Sequence, residues 1–228
     1  MMGGVQFRAD CSTALSGLFA AGEDTGGVHG ANRLGGNGVA NSTVFGGIAG
    51  DAMARYVKGG VSSCQSSAAL RAPDEAAIAR AIAAAEAPLK RAAASLEPIR
   101  ETLYECMWND AGILRTAAGL QRAKVQLSQL DAQLDATGVA DGDRAFNLTW
   151  HDWLNLKNLV QISRVIVEAA IAREDSRGAH FREDFPETGD LPTSTYTVVR
   201  QQDAHIALTR EPVHFTRVKP GETLLTTR

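Results

Sequence analysis

The sequence has few of the residue patterns that mark several large classes of protein. Its three cysteines, Cys11, Cys64 and Cys106, are widely spaced and form no C-x-x-C pair, so we predict neither a disulfide framework nor a metal site. No apolar run is long enough to cross a membrane, and the first residues lack the pattern of a secretory signal. Basic residues (23) and acidic residues (26) nearly balance, so no nucleic-acid partner is indicated. We therefore expect a protein of a reducing compartment, the cytoplasm.

Glycine is concentrated near the N-terminus, in a segment that is followed directly by a helix pattern. Residues 21–38 hold seven glycines, two adjacent carboxylates, one imidazole and one guanidinium. From Val39 to Tyr56 apolar residues recur at spacings of three and four, which predicts a helix. A helix that begins there directs unpaired N–H groups and the positive end of its dipole at a neighbouring group. We therefore predict a site for an anionic ligand or an electron-rich ring.

Composition divides the chain into four segments. Residues 1–57 contain the glycine-rich segment, and the short apolar run at 17–22 predicts a buried strand. Residues 58–73 are rich in glycine and serine and predict a linker. Residues 74–175 show successive amphipathic helix patterns with short polar connections, which predicts an antiparallel helical bundle. In residues 176–228 two strand patterns around a polar turn predict a β-hairpin.

Four helix patterns are distinguishable within the bundle segment. Pro88 is expected to kink or split the first, which runs from residue 74 to about residue 95. The other three have their apolar positions at Ile99, Leu103 and Cys106, from Ile113 to Leu134, and from Leu156 to Ala170. The hairpin strands are predicted at 195–199 and 205–209, with the turn at 201–203. The fold class predicted is mixed α and β.

The glycine-rich segment admits two interpretations on its residues alone. It could be a surface loop between a strand and a helix, in which Arg33 and Glu23 form an exposed ion pair. It could instead bind a ligand, because polar donors crowded beside a buried helix start are hard to satisfy without one. The planar fork of Arg33 matches the two oxygens of a carboxylate.

The same segment resembles a known family. Ala21-Gly22-Glu23 followed by His29-Gly30-Ala31-Asn32-Arg33-Leu34-Gly35-Gly36-Asn37 is similar to the succinate dehydrogenase/fumarate reductase flavoproteins, which include L-aspartate oxidase. Residues 107–120 and 173–186 resemble the C-terminal helical domain of that family. The resemblance implies FAD as the cofactor, a dicarboxylate as the substrate, and hydride transfer between a substrate carbon and flavin N5.

The resemblance also implies roles for single residues. Glu23 would hydrogen-bond the ribityl or ribose part of FAD, and Arg33 would bind one carboxylate of the substrate. Gly38 and Val39 would offer backbone N–H groups to the N1/O2 edge of the flavin. His29 is a second substrate-site residue, with a packing role as the alternative. The cofactor-binding residues implied are Gly22, Glu23, Asn37, Gly38 and Val39.

The sequence departs from the family pattern in what it lacks. No G-x-G-x-x-G turn for the FAD pyrophosphate and no capping domain are found, so the family's proton-donating arginine has no counterpart and no catalytic residue is assigned. The resemblance is therefore to the C-terminal part, with residues 1–57 as the remnant of an α/β FAD-binding domain. Arg177, His180 and Arg182 are expected to form a structural network between the domains.

Several functions stay open at this point. The first is the C-terminal portion of an FAD-dependent oxidoreductase that interconverts succinate and fumarate, inactive as the isolated chain. The alternatives are a split-enzyme subunit that needs a separate FAD-binding chain, an L-aspartate oxidase-like activity, and a non-enzymatic helical interaction module. The expected partners are an N-terminal flavoprotein chain or an iron–sulfur subunit, through which the protein could also be held at the inner membrane.

Overall fold

The computed structural model describes residues 2–59, 73–202 and 205–223 of the chain. The chain forms two compact units. The first comprises residues 1–73 together with the short segment 177–180, and the second comprises residues 74–176 and 181–228. The predicted linker at 58–73 lies for the most part outside the described residues, so it stays a prediction.

The first unit is an irregular loop packed on a helix. Helix α1, Asn37–Val57, follows the glycine-rich segment directly, as predicted. Phe7 packs edge-on against Phe45 of α1 with ring centroids 5.6 Å apart, and Phe19 packs against Tyr56 at 5.7 Å. These two aromatic pairs hold the loop against the helix.

The prediction of a buried strand at residues 17–22 was wrong. Leu18, a core residue of such a strand, is exposed. Phe19 forms an isolated antiparallel bridge with Ser12, and Val5 forms an isolated parallel bridge with Thr25. A strand needs a neighbouring strand to pair its backbone N–H and C=O groups. Within residues 2–59 only these single bridges are available, so the segment stays irregular.

The second unit contains a helical bundle, and side chains cap most of its helices. Its helices are α2 Glu75–Glu86, α3 Glu97–Asn109, α4 Ala117–Ala136 and α5 Leu148–Ala172. Asp74, Thr116 and Asn147 cap α2, α4 and α5, each side chain accepting a backbone N–H of the first turn. A 3₁₀ turn, Ala87–Lys90, follows α2 at Pro88, so Pro88 does interrupt the first helix pattern. The predicted continuation to about residue 95 was wrong, because residues 91–95 are not helical.

The core of this unit lies between α3, α4 and α5. Leu120, Leu127 and Leu134 of α4 are fully buried at a seven-residue spacing, and α5 contributes Leu156 and Val160. Burying one such side chain stabilises the fold by roughly 1.5–3 kcal/mol. The apolar positions that recur along α4 in the sequence are therefore the ones that pack against the neighbouring helices.

Short strands complete the second unit. β1, Leu114–Arg115, pairs in parallel with β2, Phe181–Arg182. β3, Thr195–Gln202, pairs antiparallel with β4, His205–Pro212, so the predicted hairpin is confirmed. Residues 203–204, at its predicted turn, lie outside the described residues. The architecture is mixed α and β, and each helix in the described ranges is too short or too polar to cross a bilayer.

Candidate functional site

Hydrogen bonds order the loop that carries Glu23. The N–H of Val5 donates to the carbonyl of Asp24 at 2.8 Å. The hydroxyl of the buried Thr25 donates to the carbonyl of Gly22 at 2.6 Å. The Glu23 side chain itself is 81% exposed. An ordered backbone therefore presents a carboxylate that remains accessible to a ligand.

Helix α1 begins in a way that suits anion binding. Its N-cap residue is Gly36, in the left-handed conformation with φ +82°. Among the described residues no side chain caps this helix, and its first turn holds no acidic residue. The N–H of Asn37 donates to the carbonyl of Leu34 at 3.3 Å, so the N–H groups of Gly38 and Val39 and the positive end of the dipole are the ones available to a ligand.

A cavity of about 400 Å³ lies beside this helix start. Its lining residues are Glu23, Arg33, Gly36, Gly38, Val39, Ser42 and Thr43. The hydroxyl of Ser42 donates to the carbonyl of Gly38 at 3.1 Å, and that of Thr43 donates to Val39 at 3.0 Å. The wall thus combines a guanidinium, a carboxylate and glycine backbone, which can bind a carboxylate or an aromatic ring with polar edges.

The side chain of Arg33 lies beside the N-terminus of α1. Its Nη1 is 3.5 Å from Oε1 of Glu23, and the two side chains are 34% and 81% exposed. A Cβ added to Gly38 would lie 3.1 Å from Cζ of Arg33 and closer still to Nη1. Glycine at this position therefore allows the guanidinium to rest against the first turn of α1.

A second cavity of about 280 Å³ lies along the next face of α1. Its lining residues are Val28, His29, Asn37, Ala40, Asn41, Val44 and Phe45. Asn41 is buried, and its Nδ2 donates to the carbonyl of Gly22 at 3.1 Å and lies 3.3 Å from Nε2 of His29. The side chain of His29 is therefore anchored to the helix that carries the first cavity.

The structure brings some of the predicted site residues together and separates others. Those that share the first cavity are Glu23, Arg33, Gly38 and Val39. Gly22 adjoins that cavity, because a Cβ added to it would lie 3.1 Å from Oγ of Ser42. His29 and Asn37 line the second cavity instead. Sequence reasoning did not assign Asn41, Ser42 and Thr43 to the site. Small polar residues one helical turn after Gly38 are the signal that could have placed them beside it.

The predicted cluster of Arg177, His180 and Arg182 is divided between the two units. Arg182 is 2% exposed and donates from Nε and Nη2 to the two oxygens of Asp184, at 2.8 Å each. These hydrogen bonds hold the pKa of Asp184 well below its usual range. The polar contacts of Arg182 described here lie within the helical unit, so a network between the domains stays a prediction.

The buried cysteines of the described residues are poorly suited to nucleophilic chemistry. Burial raises the pKa of the Cys11 thiol and of the Cys106 thiol, and a neighbouring aspartate adds to each shift. Both thiols therefore stay protonated near neutral pH, whereas the thiolate is the reactive form.

Comparison with known proteins identifies relatives that match up to 97% of the chain. A family model described as the C-terminal region of the fumarate reductase flavoprotein matches residues 100–224, which is more than half of the chain. A model described as an FAD binding domain matches residues 1–39, which contain the glycine-rich segment.

Individual relatives agree with the family models. The fumarate reductase flavoprotein subunit of Mycobacterium tuberculosis is 34% identical over 230 residues, covering 97% of this chain and 38% of that protein. L-aspartate oxidase 1 of Ralstonia nicotianae is 32% identical over 200 residues, covering 87% and 33%. A solved structure of Escherichia coli quinol fumarate reductase matches with a TM-score of 0.79 at 30% identity, covering 96% of this chain and 37% of that one. The chain thus spans between 33% and 38% of the length of these relatives.

Proposed function

This chain belongs to the succinate dehydrogenase/fumarate reductase flavoprotein family, and on that premise we propose that it forms one wall of the active site of an FAD-dependent oxidoreductase that interconverts succinate and fumarate. The observation that carries the proposal is the cavity of about 400 Å³ where Arg33, Glu23 and the glycine-rich start of α1 meet.

The residues of this cavity fit one part of FAD. Gly36 and Gly38 carry no side chains at the first turn of α1, so a flat ring can approach its N–H groups once the Arg33 guanidinium, which rests against Gly38, moves to a substrate carboxylate. Glu23 offers an exposed carboxylate that can accept hydrogen bonds from sugar hydroxyls. The positive end of α1 stabilises negative charge placed against it. FAD, when bound, supplies the hydride-transfer chemistry, and the residues of this chain hold and orient the reactants.

Arg33 is the residue that would bind the dicarboxylate. Its ion pair with Glu23 is long and exposed, and pairs of that kind contribute less than about 1 kcal/mol. A charge-assisted bidentate bond to a ligand carboxylate contributes about 1.5–3 kcal/mol. The difference in free energy therefore favours Arg33 leaving Glu23 and binding a substrate carboxylate. Glu23 would then accept a hydrogen bond from a hydroxyl group of the cofactor.

Two alternatives have specific support. Apolar side chains of α1 are exposed, with Val39 at 75%, Val44 at 58% and Met53 at 44%, which favours a further chain covering this helix in a split enzyme. An iron–sulfur subunit is a second proposed partner chain. Through such a subunit the protein would also associate with the inner membrane. An aspartate oxidase-like activity is the second alternative, because L-aspartate oxidase 1 of Ralstonia nicotianae is among the relatives.

The test is reconstitution. The chain is co-expressed with the part of the Mycobacterium tuberculosis relative that precedes the matched region, giving a complex that we call the reconstituted enzyme. We expect oxidation of succinate with an artificial electron acceptor, and no turnover by the chain alone. Oxidation of aspartate in place of succinate would support the alternative activity. A reconstituted enzyme that binds FAD and acts on neither substrate would overturn the proposed reaction.

A further inference from the structure

A tight turn far along the chain belongs to the same compact unit as the glycine-rich loop. In this turn the N–H of Arg177 donates to the carbonyl of His180 at 2.7 Å, and the N–H of His180 donates back to Arg177 at 3.0 Å. Gly178 sits at its tip with φ +57°, a conformation that residues with a side chain rarely adopt. The turn is therefore a small, internally bonded structure.

This turn contacts the loop at Ala31. The N–H of Ala179 donates to the carbonyl of Ala31 at 3.0 Å. A Cβ added to Gly178 would lie 2.5 Å from the carbonyl carbon of Ala31 and 2.8 Å from its Cβ, and closer still to its oxygen. The atoms crowded are two backbone atoms and the Cβ of an alanine, none of which can rotate away as a long side chain can. Either the turn or the loop must move if Gly178 gains a side chain.

Ala31 is two residues before Arg33. His29 contacts Asn41 and Arg33 contacts Glu23 through their side chains, and a Cβ added to Gly30, whose φ is +59°, would meet no described atom within 4 Å. The hydrogen bond from Ala179 therefore anchors the backbone of this part of the loop. We propose that Gly178 and Ala179 are positioning residues that set the place of the Arg33 guanidinium for binding a substrate carboxylate. The inference rests on the proposed function, in which Arg33 binds that carboxylate.

The expected effect follows from the size of the displacement. Non-bonded carbon atoms sit about 3.5–4.0 Å apart, so a Cβ on Gly178 requires a shift of the order of 1 Å. A shift of that size misaligns the two parallel bonds by which the Arg33 guanidinium would hold a substrate carboxylate, and such bonds contribute to binding. Gly178→Ala should therefore raise the KM for succinate by about 10- to 100-fold. It should leave the FAD content and, to first order, kcat unchanged.

Gly59→Ala is the matched control. Gly59 also has a positive φ, of +78°, but a Cβ added to it would meet no atom of the described residues within 4 Å. The two variants thus share the backbone strain and differ in the contact. In the reconstituted enzyme, a rise in the KM for Gly178→Ala but not for Gly59→Ala supports the proposal. Equal KM values in the two variants would overturn it. An unchanged KM in Arg33→Lys would instead overturn the proposed function, which keeps the two failures distinguishable.

A second measurement needs no turnover. In the purified 228-residue chain, hydrogen exchange of the Ala179 amide should be slowed, because that N–H is bonded to Ala31. In Gly178→Ala the slowing should be lost, and the amide resonances of residues 29–33 should shift, whereas Gly59→Ala should change neither. An Ala179 amide that exchanges in the wild-type chain as fast as an exposed one would overturn the contact on which the proposal stands.

Discussion

Arg182 and Asp184 form a bidentate ion pair that joins two helix ends of the bundle. Nη1 of Arg182 donates to the carbonyls of Ala170 and Arg173 at the end of α5, at 2.9 and 3.2 Å. Asp184 accepts the N–H of Ala117 at the start of α4, at 2.7 Å. A cation at a helix C-terminus and an anion at a helix N-terminus both complement the helix dipole. The pair therefore fixes how α4 and α5 meet.

Removing the carboxylate of this pair should destabilise the fold. Asp184→Asn is expected to lower the free energy of unfolding by about 3 kcal/mol, because it leaves the buried charge of Arg182 without a counter-ion. Urea unfolding measures the change. Glu211→Gln is the control, since its pair with Arg200 is exposed and such pairs contribute less than about 1 kcal/mol. Equal losses in the two variants would contradict this account of the pair.

The same pair should make stability fall in acid. Its hydrogen bonds hold the pKa of Asp184 below the ordinary value, so the unfolded chain binds a proton at a higher pH than the folded chain does. The stabilisation is complete above the unfolded pKa of about 3.9 and is lost as the pH falls below it toward the folded pKa. Unfolding free energies measured across this range should decline less steeply for Asp184→Asn than for the wild type. If the unfolding free energies of the two proteins decline in parallel, groups other than Asp184 cause the sensitivity to acid.

The two site residues that share an ion pair should have separable roles. In the reconstituted enzyme, Arg33→Lys should raise the KM for succinate by about 10- to 100-fold, because a lysine cannot make the two parallel bonds of a guanidinium. Its FAD content should not change. Glu23→Gln should show the reverse pattern, with weaker FAD retention and little change in the KM. If both variants lose FAD to the same extent, the assignment of Arg33 to the substrate is wrong.

A side chain at Gly38 should move Arg33 at little cost to stability. The added Cβ of Gly38→Ala would crowd the flexible end of Arg33, which can swing away, and alanine is favoured over glycine in a helix by up to about 1 kcal/mol. The NMR resonance of the Arg33 Nε–H group should shift, and the melting temperature should not fall. Gly46→Ala, also in α1 and with open space around it, should leave that resonance in place. Matching spectra for the two variants would show that Arg33 does not rest on Gly38.

Sequence distance explains which parts of the fold could be predicted. The stripe of Leu120, Leu127 and Leu134 lies on one helix, so its periodicity predicts both the helix and its buried face. The contact between Ala117 and Asp184 joins residues 67 positions apart, and no local pattern encodes it. The strand predicted at 17–22 failed because strands depend on partners that a local apolar run does not reveal.

The same limit applies to the candidate site. Glu23 and Arg33 stand ten residues apart in one glycine-rich segment, so their meeting could be predicted from chemistry and resemblance. The turn at Gly178 could not be linked to Ala31 in this way, because only the folded backbone brings them together. His29 was assigned to the substrate by resemblance, whereas its side chain lines the neighbouring cavity beside Asn41. Its role at the substrate stays a proposal.

Retention of FAD tests the central claim most directly, because that claim is that this chain forms one wall of a shared flavin site. The measurement is the flavin absorbance that remains with the protein after gel filtration. It compares this chain, the part of the Mycobacterium tuberculosis relative that precedes the matched region, and the two together. We predict that stoichiometric FAD stays bound only when both are present, and that Glu23→Gln reduces it. Stoichiometric FAD on this chain alone, or no gain when the two parts are combined, would contradict the account.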